Sequence, residues 1–489
     1  MSRKVKLIGA VVFLLLSAGA GSLYWSGVHA QRTYEQSLSG VNSQGVFNAR
    51  TASYRRGLLS SEAVTVVTFN TDSPQYQALV RSEPDTLLKN FRLVLASDIE
   101  HLPTPSFTSG RADLTITTRL DERDSKQGAW ISKAGLHDVL RMTTRVGVDG
   151  NSTVTLDVKP MTYQAPETGA SLDWGGLQGK FDIGAGEQHR HIRGTVRSSG
   201  FTAHAGLEQV KMDGLHYNLD GHFDVHDFFI GSQSVVIDDL YANAPADAAD
   251  PNGVMSFERL TLQGEAHADD ASLSVSSDIL LTDLNAAGER IPRFTLRIAA
   301  DKLDMGPLAG LRDLLASANT GGVRPAPIEP VLQAQIQEKL LAVLTGRPQV
   351  RITELLLETG SGTLRGNLAL RLVQPPPANA VIPPLFWLSA LEGEAHVTIA
   401  EPLLTLLATS NARATLIAGY EAKKQAPPPD KELDTAAAEL ARARLSSLET
   451  QGVLLREGNE FRTDITLANS ELQINGKPFQ SLAPDTSSN

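Results

Sequence analysis

With 489 residues and no cysteine, the chain is long enough for a large apolar core, and its stability rests on burial without disulfides or thiolate metal sites. A formal net charge of -11 repels phosphate backbones, so no nucleic acid is expected among its partners.

Arg3, Lys4 and Lys6 lead into an uncharged, mostly apolar run from Leu7 to Trp25. A basic flank ahead of such a run stays behind when the run enters a membrane, so residues 1–28 read as an N-terminal membrane anchor or signal. Leu7 to Tyr24 lies near the lower length limit of a spanning helix; extension to Val28 reaches full length, with Tyr24 and Trp25 as an interfacial aromatic pair. Val28-His29-Ala30 also fits a signal-peptidase site, which leaves cleavage after Ala30 open. Either reading exports the rest of the chain.

Residues 29–303 carry a period-two pattern. Val154, Leu156 and Val158 alternate with Thr153, Thr155 and Asp157; Leu273, Val275, Ile279 and Leu281 alternate with serines and Asp278; Phe294, Leu296 and Ile298 alternate with Arg293, Thr295 and Arg297. One-sided strands of this kind predict antiparallel sheet with one wet face, since parallel strands buried on both sides read as continuous apolar runs. Residues 304–489 mix helix and strand. Leu308, Leu311, Leu314 and Leu315 make a short helical stripe, and Leu332, Ile336, Leu340 and Leu344 a longer one, bounded by Pro330 and Gly346. Two further helices, near Glu401–Lys423 and Pro429–Leu448, are separated by the Pro427–Pro429 run. Strands at Leu364–Leu372, Glu394–Ile399, Phe461–Leu467 and Glu471–Asn475 complete the chain, the last closed by an Asn475-Gly476 turn. Leu262-Gln263-Gly264-Glu265-Ala266-His267 recurs as Leu391-Glu392-Gly393-Glu394-Ala395-His396, a short internal echo. The fold class expected is mainly β with an α+β second half: a single N-terminal transmembrane helix, then large twisted antiparallel sheet with amphipathic covering helices.

Candidate chemistry is sparse. Asp220, His222, Asp224 and His226 share one face of an extended strand, but alternate residues lie ~6 to 7 Å apart, too far for four ligands to meet one ion. They read as a solvated face. His189 and His191 sit beside Arg190 and Arg193, which oppose a cation. No Gly-x-Ser-x-Gly, no His-Glu-x-x-His and no complete glycine-rich phosphate loop is present. The expectation is a non-enzymatic protein with no metal and no cofactor.

The run Tyr54-Arg55-Arg56-Gly57-Leu58-Leu59-Ser60-Ser61 resembles the signature of the bacterial YdgA-like proteins of unknown function. His101-Leu102-Pro103 is similar to that family's His-Gly-Pro segment, with Leu102 in the place of the glycine. Gly458-Asn459, Phe461, Ile465, Leu467 and Leu472-x-Ile474-Asn475-Gly476-Lys477 look like its closing strand pair. The resemblance implies a Gram-negative envelope protein anchored in the inner membrane, its bulk in the periplasm. Tyr54, Arg56, Gly57, Ser60, Ser61, His101, Pro103, Asn475 and Gly476 are its motif residues, and it supplies no catalytic role for them. From the residues alone, Gly57 permits a bend and Arg56 meets an acidic neighbour in the sheet.

A long sheet with one apolar face must hide that face by closure, helices, self-association or a hydrophobic ligand. Two functions follow as expectations: an apolar groove for a lipid or acyl chain, or a scaffold acting through a homodimer or an envelope protein partner.

Overall fold

The computed structural model describes the chain from residue 28 to residue 479 with breaks, the longer ones at 77–91, 103–112, 185–189, 244–253, 319–329 and 376–383. Two compact units divide it. One comprises the described residues up to Gln233 together with Arg312–Ala334; the other comprises Ser234–Leu311 and the described residues from Gln335 onward.

The first unit holds β1 (Phe47–Arg56), β2 (Ser60–Phe69), β3 (Arg92–Leu102), β4 (Asp113–Leu120), β5 (Leu140–Val146) and β6 (Ser152–Val158). They continue as β7 (Met161–Gln164), β8 (Ser171–Trp174), β9 (Leu177–Ile183), β10 (Arg190–Ala205) and β11 (Glu208–Phe223). The ladder runs β1 to β6 in sequence, then β9, β10 and β11, every pair antiparallel. At the β1–β2 turn a Cβ on Gly57 would stand 2.2 Å from the Ser60 carbonyl oxygen, so only glycine fits.

One helix interrupts this stretch. In α1 (Ser125–Ala134), the Asp124 carboxylate accepts from the Lys126 and Gln127 amides, and Gly135 at φ 66° ends the helix. The Asp121 amide just past β4 donates to Val94 C=O at 2.8 Å, and Gln127 supplies the remaining bonds at this end of the ladder. Its side-chain oxygen accepts from Val94 N–H at 2.8 Å and its amide donates to Val94 C=O at 2.6 Å.

The second unit takes up β12 (Phe229–Asn243) from Ser234 and adds β13 (Val254–Phe257), β14 (Arg259–Asp269), β15 (Ser272–Ala286) and β16 (Glu289–Asp304). Helices α2 (Met305–Ala318) and α3 (Pro330–Thr345) come next in the chain. They are followed by β17 (Gln349–Thr359), β18 (Gly362–Leu372), α4 (Pro384–Ala390), β19 (Leu391–Ala400), α5 (Glu401–Ala422) and α6 (Asp430–Thr450). The chain closes with β20 (Leu455–Glu457), β21 (Glu460–Ala468), β22 (Glu471–Ile474) and β23 (Lys477–Pro478). Strands β14 to β19, then β21, β22 and β23, form an antiparallel ladder. Asn475 at φ 52° and Gly476 at φ 74° make the tight turn before β23, as their residue types require.

The expected fold class is corrected. The described chain is mainly antiparallel β through both halves, with helices as additions to a strand framework. Among the described residues no helix is long and apolar enough to cross a membrane. The longest, α5, has Thr405, Thr409, Asn411 and Arg413 along its length, so it is not an apolar cylinder. The run Leu7–Trp25 lies outside the described residues.

Candidate functional site

Four of the motif residues, Tyr54, Arg56, Ser61 and His101, meet on one face of β1 to β4. Alternation puts Ser61, Ala63 and Thr65 of β2 beside Ser97, Ile99 and His101 of β3 and Leu114, Ile116 and Thr118 of β4. A helical segment at 30–35 lies on this face. Its Ala30 and Tyr34 are buried with Ala63, Ile99, Leu114 and Ile116, and Tyr54 packs against the same cluster. The Tyr34 and Tyr54 rings stand 6.1 Å apart.

Polar groups are set into this apolar contact. The Tyr34 hydroxyl bonds Thr65 Oγ1 at 2.6 Å and Ser97 Oγ at 3.3 Å, and Ser97 Oγ bonds Thr118 Oγ1 at 2.8 Å. His101 Nε2 lies 3.0 Å from Ser61 Oγ, and the His101 amide donates to Leu59 C=O at 3.0 Å. Arg56 reaches back to the Gln31 side-chain oxygen. Burial pushes the His101 pKa below the ordinary 6.5 and the Tyr54 pKa above the ordinary 10.0, the latter partly offset by the neighbouring Ser61 hydroxyl. Ser61 and His101 are 2% and 0% exposed, so no substrate reaches the pair. Tyr54, Arg56, Ser61 and His101 thus form a seat for residues 30–35.

Arg56 donates to the Gln31 side-chain oxygen, and Arg55 forms an ion pair with Glu62 at 2.7 Å. Ser60 opens β2 at the turn, and Asn475 and Gly476 sit in the second unit, where Asn475 donates to the Gly452 and Val453 carbonyls. Pro103 lies outside the described residues. Tyr34, Thr65, Ser97 and Thr118 were not singled out in the sequence. The signal available was polar residues at inward positions of otherwise apolar strands.

The Asp220–His226 face is interrupted. Strand β11 ends at Phe223, and Asp224 Oδ1 accepts from the His226 and Phe228 amides in a tight turn, with Asp227 at φ 58°. Asp220 pairs with His191 at 3.1 Å and Arg193 at 2.8 Å. Among the described residues no group of three His, Asp or Glu side chains could hold a metal ion.

The second unit presents the larger feature. Strand register aligns Leu262, Ile279, Leu296, Leu355, Gly366 and Val397 in one row across the ladder. The next row holds Gly264, Ser277, Ile298, Ile352, Leu368, Ala395, Ile465 and Ile474, with Ser277 its one polar side chain. A third holds Ala266, Val275, Ala300, Val350, Leu370, Gly393, Leu467 and Leu472. No residue of these rows is fully buried, and Leu262, Ile298 and Val350 are 37%, 37% and 39% exposed. Among the described residues, helices meet this sheet at the strand ends: α5 buries Leu403 with Ile399 and Phe461, and Ala390 of α4 is buried near Leu372, itself 4% exposed. Both copies of the internal echo place Leu, Gly and Ala on this face. Eight strands at ~4.8 Å and rows four residues deep give about 34 by 13 Å, roughly 440 Å². A patch of roughly that size is what the largest apolar patch of an ordinary monomer measures, and such patches are often functional.

The opposite face is charged. Arg297 bridges Asp278 at 3.6 Å and Glu354 at 3.3 Å, and Arg351 holds Asp301 at 2.6 Å. Asp464 takes both Arg462 and His396, and those partners, Arg462 foremost, hold its carboxyl below the usual range. A depression of about 350 Å³ lies among these side chains, lined by Arg351, Arg371, Glu392 and Glu394.

Fold and site define a mainly antiparallel β protein with one sheet face largely aliphatic and covered by no described helix. The chain belongs to the family described as bacterial protein of unknown function (DUF945), which matches residues 1–481. Neither the curated proteins nor the solved structures include a match.

Proposed function

We propose that the protein is a non-enzymatic carrier of lipid acyl chains in the bacterial cell envelope, and that the three apolar rows of the second unit are where the chains bind. Within the family, the Tyr54–Ser61 run and the closing strands favour the YdgA-like members.

One observation carries the reading: a largely aliphatic face that no described helix covers and that offers few hydrogen-bonding groups. Its backbone groups are spent in the ladder, and its three rows are aliphatic side chains and glycine except where Ser277 continues the second row beside Ile298 and Thr463 the first beside Val397. A protein partner would need about one hydrogen bond per 100–200 Å², and roughly 440 Å² is well below the ~800 Å² per partner of a stable interface. Hydrocarbon needs no such bond.

The full chain, purified without detergent, should carry co-purified acyl species in native mass spectrometry. Ile298→Asp and Leu262→Asp leave a solvated carboxylate in the empty protein, since both sites are more than a third exposed, yet bury it against a bound chain, which costs several kcal/mol. Either substitution should strip the lipid while the protein stays folded. A ligand-free wild-type protein that dimerises, with the dimer lost on the same substitutions, would replace the carrier by a self-associating scaffold.

A further inference from the structure

The polar face of the first unit carries a cation-rich recess. Asp157 of β6, Gln178 of β9 and Arg197 of β10 stand side by side across the sheet. Two adjoining depressions share these three side chains. One, of about 400 Å³, extends to Lys159, Ser199 and His216; the other, of about 600 Å³, extends to Lys180 and Thr195. Arg197 is therefore central, with Lys159 toward one strand end and Lys180 toward the other, each ~7 Å along the strand from its level.

Charge distinguishes this place from the polar face of the second unit. There Arg297, Arg351, Arg371 and Arg462 each hold a carboxylate. Here Lys180 holds Asp182 at 3.2 Å, but neither Lys159 nor Arg197 forms an ion pair with any described residue. Two cations without an ion pair, Lys159 and Arg197, flank Asp157, with Lys180 and its partner Asp182 beside them, in a protein whose net charge is -11. We propose that this recess is a binding site for a phosphate-bearing ligand, with the Arg197 guanidinium as the two-pronged donor and Lys159 and Lys180 as flanking charges. A guanidinium fork matches two phosphate oxygens, and Gln178, Thr195 and Ser199 add neutral donors. The site lies on the charged side of its sheet, independent of the acyl-chain reading.

Calorimetric titration of the full chain with inorganic pyrophosphate at low salt tests it. Binding should weaken about tenfold in Arg197→Gln, the effect of one charge-assisted bond pair, and by less in Lys159→Gln. Arg365→Gln, on a strand of the second unit, should leave it unchanged. Because these side chains are exposed, thermal midpoints should not move, which separates lost binding from lost fold. Flotation with vesicles containing phosphatidic acid then names the source. Flotation that needs Arg197 identifies a lipid headgroup, and pyrophosphate binding without flotation identifies a soluble phosphate. Absence of pyrophosphate binding, or binding that Arg197→Gln leaves intact, overturns the proposal.

Discussion

Tyr34 holds the segment 30–35 onto the sheet, and its removal has a magnitude that can be worked from the structure. The side chain is 4% exposed and packs on Ala63, Ile99, Leu114 and Ile116. Truncating a buried ring of that size to alanine costs about 3 to 5 kcal/mol where the site cannot collapse. Tyr34→Phe keeps the ring and deletes only the hydroxyl. Ser97 then retains Thr118 at 2.8 Å, while Thr65 loses its 2.6 Å partner, for about 1 kcal/mol. The segment is short, so Tyr34→Ala should release it before the sheet unfolds, and the loss in global stability is capped by the free energy of docking. Two assays separate these events: urea unfolding for the sheet, and tryptic cleavage at Arg32 for the segment. Cleavage should accelerate strongly in Tyr34→Ala and slightly in Tyr34→Phe. Equal cleavage rates, with both variants within about 0.5 kcal/mol of wild type, would refute the seat.

Three further outcomes follow from the same unit. Because burial depresses the His101 pKa below 6.5, the unfolded chain binds the extra proton first, so this histidine's contribution is intact above pH 6.5 and is lost as pH falls through its folded pKa; His101→Gln should flatten that part of the stability profile, and an unchanged profile would refute the assignment. Gly57→Ala forces a Cβ against the Ser60 carbonyl at 2.2 Å and should cost about 1 to 3 kcal/mol in urea unfolding; a neutral result would mean that the turn opens freely. Gln127→Leu leaves the Val94 amide without its acceptor, while the carbonyl keeps the Asp121 amide, and should cost about 1 to 3 kcal/mol, with faster hydrogen exchange at Val94 as its local sign.

The strands were legible because one-sided burial imposes a period of two. The repeats at Val154–Val158, Leu273–Leu281 and Phe294–Ile298 lie within β6, β15 and β16, and Asn475-Gly476 marked its own turn. Helix α1 was not read, although Asp124, Gln127 and Gly135 spell its two ends; the strand pattern on either side masked so short an element. Nor was the seat read from spacing alone. Tyr34, Ser61, Ser97 and His101 come from a helix and two strands, and only the register of the sheet brings them together. The groove expectation carried a similar blind spot: period two places Leu273 with Val275 and Ile279, but Leu273 is 4% exposed near the strand end, so the open part of the face begins two residues further on. Alternation tells which side a residue takes and says nothing about how far covering helices extend.

The choice of face for an apolar ligand follows from the charges opposite it. Arg297 with Asp278 and Glu354, and Asp464 with His396, are cross-strand pairs, Asp464 also holding Arg462 of its own strand, and every one of these side chains keeps part of its water. Pairs of this kind add little stability while they keep their water, and stripping that water costs more than their mutual attraction returns. Nothing apolar can be laid over that side without paying the desolvation of several ions at once. The aliphatic rows carry no such penalty: each methylene laid against them contributes about 0.8 kcal/mol, so a chain that contacts them through ten methylenes gains on the order of 8 kcal/mol before ordering costs. Acyl length is therefore the variable that tests the face. Affinity should rise steeply with chain length until the ~34 Å span of the rows is filled and level off beyond it. A flat dependence on length would show that the rows are not where the chain lies.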